Sequence, residues 1–136
     1  MNFGAIVKIL ESKVAGKYSI IEGKEAIFVL PDNWIEISEL LKNDLEFDFN
    51  YLMCLSSYDK GDDKTYGVAY NLFSTTNKHY LEVRVEIEDG ISIPSVVSLW
   101  KTANWHEREA YDMMGIKFDG HPDLKRILLS DDWDGH

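Results

Sequence analysis

From Leu81 to Glu88 the chain alternates without a break, with Leu81, Val83, Val85 and Ile87 set against Glu82, Arg84, Glu86 and Glu88. Side chains along a strand point to opposite faces with a period of two, so this segment has one dry face and one wet face. That is the pattern of a half-buried strand in an antiparallel pair. The rest of the chain must supply the layer that covers the dry face.

Two further strands precede it, near 47–58 and 65–75, with this one spanning 79–88. Asp59-Lys60-Gly61-Asp62-Asp63 and Thr76-Asn77-Lys78 separate the three. Upstream, 17–22 and 25–30 read as a hairpin closed by Glu22-Gly23-Lys24-Glu25. Phe3, Ile6, Val7, Leu10 and Val14 recur at helical spacing, so 3–14 is predicted as a helix that Gly16 can terminate. After Pro31, Asp32 and Asn33, the spacing of Trp34, Ile37, Leu40 and Leu41 predicts a second helix over about 34–43. Beyond Asp89-Gly90 the helical period returns. Pro94 can open a helix at about 95–101 carrying Val96, Val97, Leu99 and Trp100. Another is expected over about 105–114, with Asn104 as N-cap, Glu107 at capping-box spacing and Gly115 as a left-handed C-cap.

The expected fold is α+β in two layers. A helix, two strands, a helix and three strands build a mixed sheet packed by helices, followed by a helical C-terminal segment. One domain accounts for all 136 residues.

Charge and composition exclude several function classes. The formal net charge of −10 would repel nucleic-acid backbones and anionic lipid. No apolar run approaches the roughly 20 residues of a membrane span, and the N-terminus shows no secretory-signal pattern. The single cysteine, Cys54, lies in an apolar strand-like run and reads as a structural thiol; one thiol supports neither a disulfide nor a four-cysteine cluster. The nine glycines include no G-x-G-x-x-G run, and neither a P-loop nor a G-x-S-x-G elbow is present. A metal-dependent hydrolase could draw on His79, His106, His121 and His136. His106 and Glu109 are three apart, but their stripes differ by about 60° and no histidine follows at i+4.

The helix at 105–114 carries the unusual pattern. At about 100° per residue, Trp105, Arg108, Glu109 and Asp112 share one stripe, while His106, Ala110, Met113 and Met114 take the other side as core material. Arg108 and Asp112 stand close enough to pair. The stripe reads either as a solvated face with Trp105 folded back, or as an ion network at a protein contact, where Trp and Arg are enriched.

The run from Glu107-Arg108-Glu109 through Asp112, Gly115 and His121-Pro122 to Arg126, with Asp132-Trp133 and Gly135-His136 beyond, resembles the 30 kDa subunit family of respiratory NADH:quinone oxidoreductase, complex I. Phe47-Asp48-Phe49 and Tyr58-Asp59 fit that family's third strand. The resemblance implies a structural and assembly subunit of the peripheral arm with no catalytic residue and no cofactor of its own. FMN and iron–sulfur clusters belong to its partners, the large quinone-site subunit and neighbouring iron–sulfur subunits. It implies a peripheral place on the cytoplasmic side of the inner membrane. It further implies that Trp105, Glu107, Arg108, Glu109, Asp112, Gly115, His121, Pro122, Arg126 and Trp133 meet a partner or brace the segment that does. In that family a Pro-Leu-Arg run and a tail follow Gly-His. The chain stops at His136, so this tail is expected to be missing. Related ferredoxin-linked complexes and membrane-bound hydrogenases share the subunit, and other chains select the electron donor. A free-standing interaction module would use the same helix face without any redox complex.

Overall fold

The computed structural model describes residues 2–61 and 64–121. Helix α1, Phe3–Val14, starts where Asn2 accepts the Ala5 N–H at 2.9 Å. It buries Ile6, Leu10 and Val14, one residue per turn, as its spacing predicts. Strands β1 (Tyr18–Ile20) and β2 (Ala26–Val29) form the expected antiparallel hairpin, in register from Tyr18↔Val29 to Ile20↔Ile27. Helix α2, Pro31–Asn43, begins earlier than its apolar spacing suggests. Proline at the start of a helix lacks only an N–H that would have no intrahelical partner there. The helix sends Trp34, Ile37 and Leu41 inward, and the Trp34 ring packs on Tyr70 with centroids 4.7 Å apart.

Strands β3 (Tyr51–Asp59), β4 (Thr65–Ser74) and β5 (His79–Glu88) form an antiparallel meander. The sheet order is β1-β2-β5-β4-β3, and only β2 and β5 run parallel. The alternating strand β5 is therefore the central one. Its Leu81, Val83, Val85 and Ile87 are buried on the helix side, and Glu82, Arg84 and Glu86 stand half-buried on the other.

Two expectations are corrected. Residues 47–50 do not extend β3. Phe47 and Phe49 are both fully buried, as a strand would have them, but Asp48 between them takes φ 43°, which no strand allows. The segment is a loop whose carbonyls are taken by side chains: His79 Nε2–H bonds Phe47 O, Trp100 Nε1–H bonds Phe49 O at 2.8 Å, and the Asn77 amide bonds Leu45 O and Glu46 O. Nor does a helix form at 95–101. Ile93–Pro94 is a short strand, β6, pairing in parallel with β7, Phe118–Asp119. A single turn follows, closed by Trp100 N–H to Val96 O at 2.9 Å, after which the Trp100 side chain enters the core.

No helix among the described residues is long and apolar enough to cross a membrane. The α+β arrangement, a mixed sheet packed on one face by helices, is the one that the order of elements predicts.

Candidate functional site

Helix α3, Ala103–Met114, holds most of the residues whose pattern stands out in the sequence. Its first turn is not capped as expected. Thr102 precedes it in helical conformation with no side-chain cap, and Glu107 does not reach back to Asn104. Glu107 turns inward instead and is fully buried. Ser95 Oγ–H donates to its Oε1 at 2.6 Å, and Val96 N–H donates to its Oε2 at 2.8 Å. Burial raises the Glu107 carboxyl to about 7, against the pull of those two donors. Tyr70 is pushed well above its usual range, by its own burial first and by the charge of Glu107 second.

This reassigns the helix faces. The core stripe is Ala103, Glu107 and Ala110, with Met114 packed beside it. His106 is only half-buried, and Met113 is 66% exposed, so neither is core material. Trp105 is 53% exposed, while Arg108 and Glu109 are half-buried and Asp112 is buried. Among the described residues no ion pair joins Arg108 to Asp112, and the buried Arg108 Nε–H has no hydrogen-bond acceptor. Gly115 ends the helix at φ 74°, its N–H bonding Tyr111 O at 2.8 Å, as its position predicts. His121 folds back so that its Nε2 meets Asn104 O at 3.2 Å, bringing it to the start of α3. Pro122, Arg126 and Trp133 lie outside the described residues.

Beside the helix runs a groove of about 400 Å³ lined by Ser56 and Ser57 of β3 and by Glu109, Ala110, Met113 and Met114. Methionine walls adapt to varied partners. The tie from Ser95 to Glu107 is not among the expectations drawn from the sequence. A signal for it exists in the spacing, since Glu107 falls between Ala103 and Ala110 on one stripe, the position of a core residue.

A family model described as the 30 kDa subunit of respiratory-chain NADH dehydrogenase matches residues 27–136. The chain belongs to that family. A NADH-quinone oxidoreductase subunit of Chloroherpeton thalassium is 43% identical over 137 residues, which is 99% of this chain and 54% of that one. The corresponding subunit from Chlorobium phaeobacteroides is 47% identical over 106 residues, covering 76% and 64%. That from Geotalea uraniireducens is 37% identical over 139 residues, covering 99% and 84%. The chain thus spans little more than half the length of the first of these 30 kDa-family relatives and less than two thirds of the second. Among solved structures, a chain of an archaeal respiratory membrane complex, the membrane-bound sulfane sulfur reductase, shares the fold. Its TM-score is 0.78 at 20% identity, covering 95% of this chain and 77% of that one.

Proposed function

We propose that the chain is a structural subunit of the peripheral arm of an NADH:quinone oxidoreductase. In this reading it docks through the outer face of α3 on the large quinone-site subunit, beside the iron–sulfur subunits. It holds no cofactor itself; NADH, flavin, clusters and quinone are handled by its partners on the cytoplasmic side of the membrane. Its contribution is rigidity, because redox sites need supporting shells locked by packing.

One observation carries this reading. The Arg108 Nε–H is buried with no acceptor among the described residues, on a helix face that also exposes Trp105. A buried guanidinium donor without an acceptor is costly, and an acid on a docked partner removes that cost. Trp, Met and Arg are the side chains enriched at protein interfaces.

The test is affinity purification of the chain at its native length from source membranes, with mass spectrometry of the co-purifying subunits. NADH-linked partners are expected. Ferredoxin-linked or hydrogenase subunits in their place would reassign the donor. Arg108→Ala should lower recovery of the complex while leaving the chain folded, because truncating one member of a desolvated pair costs roughly 3–5 kcal/mol. Unchanged recovery by that variant would remove α3 from the interface.

A further inference from the structure

The sheet ends on β3, a nine-residue strand that pairs with β4 alone among the described strands. Half of the N–H and C=O groups of such an edge strand point away from its one neighbour. At its start this edge is closed. Met53 is the extra residue of a bulge, and Thr102 Oγ1–H donates to Leu52 O at 3.4 Å. From Cys54↔Asn71 to Asp59↔Tyr66 the register is regular. There, among the described residues, nothing bonds the outward main chain of Cys54–Tyr58. Edge strands are commonly kept from pairing by shortness, proline, lysine or a bulge. The opposite edge, β1, is only three residues long. Cys54-Leu55-Ser56-Ser57-Tyr58 has none of these protections.

Helix α3 packs against β3, and the groove described above lies between them. Ser56 and Ser57 form one wall, and Glu109, Ala110, Met113 and Met114 form the other. Met113 is exposed there. Among the described residues no cation pairs with Glu109.

We propose that β3 takes a sixth strand from a partner subunit, an extended segment of roughly five or six residues lying along Cys54–Asp59. Its alternate apolar side chains rest on Ala110, Met113 and Met114, and a lysine or arginine of the segment meets Glu109. Main-chain complementarity decides the kind of occupant. A strand offers N–H and C=O along its whole length, whereas a helix has already bonded its own internally. Methionine walls then accept the side chains that point under the new strand. The unpaired Glu109 argues against a second copy, because Tyr51–Asp59 carries no lysine or arginine to bring to it. The proposal rests on the membership of a redox complex argued above, and it adds a main-chain contact to the Arg108 face.

The test is hydrogen exchange on the complete complex from source membranes and on the chain alone at its native length. The outward amides between Cys54 and Asp59 should slow by about a hundredfold or more in the complex. Met113→Lys places an ammonium one turn from Glu109, where it can pair within the helix and leave the fold intact. That variant should keep its thermal midpoint and lower recovery of the complex by about tenfold. A photoreactive phenylalanine at position 56 should crosslink to a different subunit. A complex that assembles with its redox partners while these amides exchange as in the free chain overturns the added strand and leaves the α3 reading standing. A crosslink to a second copy, or to residues 122–136 of the same chain, overturns it in favour of that occupant. If no redox partner follows the chain, the reading beneath it falls and the added strand falls with it.

Discussion

Replacing Glu107 by glutamine should flatten the chain's stability between pH 5 and 8. The carboxyl is fully buried and is raised from an ordinary 4.5 to about 7. The folded state therefore binds its proton more tightly than the unfolded state does. The resulting stabilisation is fully present below about pH 4.5 and is lost as pH rises through about 7. That interval corresponds to about 3 kcal/mol in all, most of it between pH 5 and 8. Glutamine keeps the shape. Its carbonyl can accept the Val96 N–H, its amide can donate to Ser95 Oγ because the hydroxyl can turn to accept, and it has no proton to lose. Other titrating groups, among them Asp44, which Glu46 N–H and the Lys13 ammonium hold below its usual value against burial, change both proteins alike and cancel in the difference. Urea unfolding of the two proteins at pH 5, 6, 7 and 8 reads this directly. The stability of Glu107→Gln relative to the parent should rise by about 2–3 kcal/mol across the series. Parallel curves would refute the reasoning, because they would mean that the Glu107 proton is held no more tightly in the fold than in the unfolded chain.

Two further substitutions probe the rest of the frame. A Cβ at Gly67 would overlap the Tyr58 ring at Cζ, so Gly67→Ala must lift that ring off β4 and break its bond to Glu86. Overpacking plus the lost bond should cost about 2–3 kcal/mol, and Gly67→Ala/Tyr58→Ala should recover part of it, as thermal unfolding will show. Trp100→Phe removes the indole N–H that Phe49 O accepts deep in the core. A loss of about 1–3 kcal/mol is expected, together with faster hydrogen exchange in the 44–50 loop; exchange that stays unchanged would show that the loop is held elsewhere.

Much of this fold is legible because its elements keep one period for their whole length. β5 alternates over Leu81–Glu88 and becomes the central strand, and α1 repeats its apolar residues turn by turn. What the sequence hides lies where tertiary partners override local preference. Val96, Val97, Leu99 and Trp100 have helical spacing, but only one turn forms, with the Val96 N–H on Glu107 at its start and the Trp100 indole N–H on Phe49 O at its end. Phe47 and Phe49 look like strand residues, yet the loop around them is held by Asn77, His79 and Trp100, residues distant in sequence. Of the candidate site, the cap at Gly115 follows from the sequence pattern, whereas the exposure of Trp105 is not fixed by helical periodicity. The inward turn of Glu107 does not follow from the pattern, because its spacing from Asn104 equally well describes a capping box.

That inward turn also explains how a helix with a thin core face can present a defined outer face. Ala103 and Ala110 are the other buried residues on the stripe, and two methyl groups grip little. A helix held by alanines alone could roll about its axis at small cost. Two directional bonds from Ser95 and Val96 to Glu107 fix the roll, tying α3 to the segment that carries β6. Once the roll is fixed, Trp105, Arg108 and Met113 are placed by helical geometry alone. On this argument the raised carboxyl is the cost of orientation. Its replacement by leucine should leave the core packed but let the outer stripe turn, so that recovery of the complex falls further than the urea midpoint does. A variant whose midpoint drops while recovery holds would show that the roll of α3 is set by something other than these two bonds.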